Sequence, residues 1–101
     1  MHPLPAPAQP PIVPILNADQ QRVLQAISAE IEKQRGFPSF ADLKKETGFT
    51  HLVTEGAIDV LLGEGLIRWD WDRMNILRAS LTPAGRAYLL SPEISSEYWN
   101  N

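Results

Sequence analysis

Catalysis and metal binding need nucleophiles, ligands or acid–base pairs at workable spacings, and these 101 residues offer few of them. The histidines are His2 and His51 and there is no cysteine, so neither a thiolate zinc set nor a disulfide can form. No glycine-rich phosphate loop and no G-x-S-x-G turn occurs. The carboxylates are scattered over positions expected to be solvated, whereas acid–base chemistry needs a cleft that perturbs them. The chain is therefore expected not to be an enzyme and to need no cofactor or metal. Its side chains suit binding instead. Lys44 and Lys45 are adjacent, and Arg68, Arg73, Arg78 and Arg86 face only Asp70 and Asp72 in the same stretch, a local charge of +2. Trp69 and Trp71 stand two apart, the spacing of one strand face.

Four helices and a hairpin are expected to position these groups. Val23, Leu24, Ile27 and Ile31 form an apolar stripe over residues 17–35, with Asn17 and Gln20 spaced as an approximate capping box and Gly36 as the stop. Residues 39–47 read as a second helix, capped by Ser39 with Asp42 in its first turn and closed by Gly48. Residues 50–64 read as a third, capped by Thr50, with Ala57, Ile58, Leu61 and Leu62 turned inward and Gly65 as its left-handed stop. Alternation over residues 66–71 puts Ile67, Trp69 and Trp71 on one strand face and Arg68 and Asp70 on the other. Residues 72–75 are a turn, residues 76–82 return as a second strand, and Pro83 opens a closing helix to about residue 90, with Ala84, Ala87 and Tyr88 available for packing.

That order resembles a winged helix-turn-helix domain. Asp59-Val60-Leu61, Gly65-Leu66-Ile67 and Leu81-Thr82-Pro83-Ala84-Gly85-Arg86 are similar to the D-x-L, G-L-I and L-T-x-x-G-R series of MarR-type regulators. Gly36-Phe37-Pro38-Ser39, with Leu43 and Thr47-Gly48-Phe49, is similar to the amino-terminal DNA-binding domain of LexA repressors. The resemblance covers residues 17–90 and implies an α+β, mostly α fold: a three-helix core, a two-stranded β-hairpin wing and a short C-terminal helix. It also implies a transcriptional regulator of double-stranded DNA, reading through residues 50–64 and the wing at 66–82.

On that reading Lys44 and Lys45 sit where the second helix crosses the phosphates, and Thr50, His51 and Thr54 can reach base edges. Arg68, Arg73 and Arg78 are the wing's cations, with Arg73 at its tip. The third helix departs from the family pattern. Where MarR-type domains commonly carry arginine or lysine it has Gly56, Val60 and Gly63, and its charges are Glu55, Asp59 and Glu64. Carboxylates near phosphate lose Coulomb energy and release no counterions. A second expectation stands beside DNA, an adaptor or accessory module that binds a protein through Val60, Trp69, Trp71, Tyr98 and Trp99.

Nine basic against twelve acidic residues give a net charge of −3, whereas nucleic-acid domains are typically basic. Removing Glu93 and Glu97 leaves ten acids and all nine bases within residues 17–90, so the domain itself is nearly neutral at −1. Residues 1–16 read as a disordered leader, with six of the nine prolines and no formal charge. Its Pro7-Ala8-Gln9-Pro10 has the spacing of a ligand for an aromatic groove. Residues 91–101 form an acidic, aromatic tail. Neither a secretory signal nor a membrane-spanning run is evident, so a cytoplasmic location is expected, and without an evident dimerisation helix a monomer or weak homodimer.

Overall fold

Each helix begins at a side chain that takes up backbone N–H groups the helix leaves without partners. In the computed structural model, which describes residues 14–33 and 36–90, α1 (Ala18–Glu32) starts at a complete capping box. Asn17 Oδ1 accepts from Gln20 N at 2.8 Å and Gln20 Oε1 accepts from Asn17 N at 3.0 Å. Helix α2 (Phe40–Thr47) repeats the device with Ser39 and Asp42, at 3.2 and 2.9 Å. Helix α3 (His51–Gly63) follows a three-residue turn and opens on Thr50, whose Oγ1 accepts from Val53 N at 3.3 Å. α1 ends at Glu32 with Lys33 as its C-cap, before the expected Gly36, which lies beyond the helix with a positive φ.

The other two glycine stops hold. Gly48 closes α2 at φ +74°. Past α3, Gly65 at φ +71° donates to Leu62 O at 3.0 Å while Leu66 N reaches Leu61 O at 2.9 Å. That pair of bonds is a Schellman motif, and Leu61 and Leu66 are both buried beside it. Leu66 is thus spent on the helix end, so β1 (Ile67–Trp71) begins one residue later than the alternation suggested. β2 (Leu77–Leu81) pairs antiparallel with it, Ile67 opposite Leu81 and Trp69 opposite Ala79. Between them Asn75 takes φ +60° and Asp72 N donates to Ile76 O at 2.9 Å, the three-residue hairpin loop with a left-handed last position.

α1 packs across α2 and α3, and the hairpin closes the open side. The core joins Val23, Leu24 and Ile27 of α1, Leu43 of α2, Ala57, Ile58 and Leu61 of α3, and Ile67 and Ala79 of the hairpin. Leu16, placed in the leader by composition, is buried with them just before the first cap. Leu62 was expected to turn inward with its neighbours on α3, yet it lies at the edge and is 37 % exposed. Helix α4 (Pro83–Leu90) packs through Gly85 and Tyr88, while Ala84 and Ala87 face solvent. The Tyr88 hydroxyl accepts from buried Gln21 Nε2 at 3.0 Å, tying the last helix to the first.

The wing is also anchored on its outer edge. Ala79 N donates to Pro38 O at 2.8 Å and Ser39 bridges Arg78, so the segment entering α2 pairs with β2 through one isolated antiparallel bridge. The residues around Tyr98 and Trp99, and the proline motif at Pro7, lie outside the described residues. Among the described residues no helix is long and apolar enough to cross a membrane.

Candidate nucleic-acid interface

The α2–turn–α3 unit places polar groups at the start of α3. Lys44 is half-buried with Nζ 5.9 Å from the centre of the Phe40 ring. That ring lies 4.7 Å from His51, tilted by 51°. His51 Nε2 in turn stands 3.3 Å from Glu55 Oε2, one helical turn on, with both side chains exposed. Lys44, Phe40, His51 and Glu55 therefore form one contiguous row beside the exposed Thr50 cap. Lys45 points elsewhere, because consecutive helical residues diverge by about 100°. It lines a cleft between α1 and α2 together with Lys33 and Glu46.

Thr54 was expected to face outward with Thr50 and His51. It is completely buried, and its hydroxyl donates to Thr50 O at 2.8 Å. The reason is periodicity, since Thr54 shares the inward face with Ala57, Ile58 and Leu61. Val60, expected on the outer side, is half-buried and packed against the core. The outward stripe of α3 is instead Leu52, Glu55, Gly56, Asp59 and Gly63, all exposed. Leu52 is the largest of these and was missed, because an apolar residue carries no polar signal in the sequence.

The wing's arginines differ in role. Arg73 lies at the tip and is exposed, with no ion pair or hydrogen bond from its side chain among the described residues. Arg68 on β1 is exposed, 3.9 Å from Asp70. Arg78 is committed to the fold. Its Nε donates to Asp72 Oδ2, one terminal nitrogen donates to Phe37 O at 2.8 Å, and Asp42 lies 3.8 Å away. Arg78 therefore clamps the wing to the segment entering α2 and is not available to phosphate in this arrangement.

Asp72 organises the loop from the other side, its Oδ1 accepting from Met74 N at 2.7 Å and Ile76 N at 3.0 Å. The hydrogen bond from Arg78, then that from the Ile76 N–H, hold its carboxyl below the ordinary value of 3.8. A depressed folded-state pKa contributes stability that is present above the unfolded value and lost as pH falls through the folded one. Asp72→Asn is therefore expected to lower the melting temperature at pH 7 and to lose that deficit in acid, below the ordinary carboxylate value. Circular-dichroism melts of both proteins from pH 7 to pH 2 check this, and a deficit unchanged in acid would contradict it.

Trp69 is half-buried against the core, whereas Trp71, at the same strand face but nearer the tip, is 68 % exposed. Beside Trp69 runs a groove of about 410 Å³ between α2, α3 and the wing. Phe40, Ile58, Leu62 and Leu77 give it apolar walls, and Glu55 and Asp59 supply the charge. No group of three or more histidine and acidic side chains among the described residues could hold a metal ion.

Several proteins of solved structure share this arrangement. The chain is similar to BpsR of Bordetella bronchiseptica, whose DNA binding is regulated by 6-hydroxynicotinic acid, at 27% identity and a TM-score of 0.65 over 82% of this chain and 61% of that one. It is similar to a probable transcriptional regulator from Pseudomonas aeruginosa at 26% identity and 0.68, covering 81% and 60%. It is also similar to a MarR family regulator from Neisseria meningitidis at 26% identity and 0.59, covering 84% and 58%. The chain thus has a MarR-like winged-helix fold and spans about three-fifths of the length of these proteins. No family model matches it, and no curated protein does.

Proposed function

We propose that this chain is a DNA-binding transcriptional regulator, not an enzyme, with α3 in a major groove and the wing on the flanking backbone. The observation that carries the reading is the likeness to regulators over more than four-fifths of the chain, one of them a protein whose DNA binding is controlled. The LexA-like start at Gly36-Phe37-Pro38-Ser39 agrees with that class of partner. Lys44, Arg68 and Arg73 are the cations offered to phosphate, while Thr50 and His51 stand at the reading end of α3 and Lys45 is turned toward α1. We place the protein in the cytoplasm, as a monomer or weak homodimer when free.

Three phosphate contacts per chain set the expected salt dependence. The slope of log affinity against log salt is about −0.9 per contact, so about −3 per chain, or roughly a fortyfold loss from 50 to 200 mM salt. Arg73→Ala is expected to weaken binding about equally on every duplex and to reduce that slope by about 1. Electrophoretic shifts over a salt series measure both. An unchanged affinity in the variant would remove the wing tip from the interface, and no duplex binding at low salt would remove DNA.

The groove beside Trp69 favours a second reading, a protein-binding module. Its walls are apolar, its charges are Glu55 and Asp59, and α3 carries no lysine or arginine. If duplex DNA is not bound at low salt, a pull-down that fails with Trp71→Ala supports this reading instead.

A further inference from the structure

Leu52 lies in the first turn of α3 and is 78 % exposed. It stands nine residues before Leu61, which is completely buried. At about 100° per residue this places Leu52 diametrically opposite the core. One turn further along the same stripe is Gly56, where an added Cβ would meet nothing within 4 Å. Leu52 therefore projects alone, with open space beside it in place of a neighbouring side chain. Glu55, the nearest charge on the stripe, is drawn toward His51. A leucine this exposed buries little apolar area on folding and so contributes little to the fold.

The major groove presents one apolar feature, the C5-methyl group of thymine, among hydrogen-bond donors and acceptors. Leucine can make no hydrogen bond, and the first turn of a recognition helix is the part that approaches base edges. We propose that Leu52 is a specificity residue that packs on thymine methyl groups, so that this protein selects its site through apolar contact. The inference rests on the reading of α3 as the groove-entering helix. It also accounts for a recognition helix without cations, since methyl packing needs none.

The test begins by selecting the tightest duplex from a random library at low salt with the full chain. Each thymine of that duplex is then replaced by uracil, which deletes the methyl and leaves base pairing intact. At one or two positions the wild type is expected to bind about fourfold more weakly, which is the methyl burial of about 0.8 kcal/mol expressed as a ratio. Leu52→Ala is expected to lose a similar factor on the thymine duplex and to be indifferent to uracil at those positions. Its exposed site leaves the fold intact, so a lost signal cannot be ascribed to unfolding. Uracil sensitivity that persists unchanged in Leu52→Ala, or that is absent in the wild type, overturns the inference while DNA binding itself stands. Failure to retain any duplex overturns both, and points to a protein partner for the stripe.

Discussion

Gly85→Ala is expected to destabilise the domain by more than about 3 kcal/mol, a large share of the 5–15 kcal/mol that holds a small domain together. An ideal Cβ at Gly85 would sit 2.0 Å from Leu66 O and 3.0 Å from Leu66 C, both main-chain atoms. Neither side can yield cheaply. Thr82 Oγ1 donates to Gly65 O at 2.6 Å and accepts from Gly85 N at 3.0 Å. Thr82 N also donates to Leu66 O at 3.1 Å. Moving α4 away breaks its cap, and moving Leu66 breaks the end of α3. Urea denaturation of the variant measures the loss. Wild-type stability in Gly85→Ala would mean that α4 does not press on Leu66. The glycine of the L-T-x-x-G-R series thus has a packing reason, separate from any contact with a ligand.

Arg78→Met should lower stability by about 2 kcal/mol, or about 10 °C in melting temperature for a domain of this size, whereas Arg73→Ala should stay within about 0.5 kcal/mol of wild type. Methionine keeps the apolar stem of Arg78 and removes its bonds to Asp72 and Phe37 O and its attraction to Asp42. The guanidinium is partly exposed, so solvent screening limits the figure to the lower part of the range for charged hydrogen bonds. Without Arg78 the chief cause of Asp72's lowered pKa is gone, and its carboxyl should move back toward the ordinary value. Thermal melts at pH 7 of the two variants side by side decide the matter. Equal melting temperatures would show that Arg78 is no more structural than Arg73.

Local chemistry was legible from the residues alone. Asn17 with Gln20, Ser39 with Asp42, Thr50, Gly48 and Gly65 each act within a few residues of themselves, and all cap or stop a helix where their types indicate. The hairpin likewise follows from alternation and a turn, because its two strands are neighbours in the chain. Contacts between distant residues were not legible. Nothing in the composition separates Gly85, pressed against Leu66, from Gly56, which faces open space, since the difference lies in what folds over each. Arg78 and Arg73 are the same residue type in the same hairpin. Only the approach of Phe37 and Asp42, from some forty residues upstream, makes one of them a clamp. Thr54 and Leu52 exchange the exposures their polarity suggests, because the rotation of α3 is set by how Ala57, Ile58 and Leu61 seat in the core. The order of elements was therefore determined by short-range propensities, and the identity of the outward-facing groups by three-dimensional packing. A helix has one rotational setting that buries its apolar side, and everything it offers a partner is what that setting leaves outside.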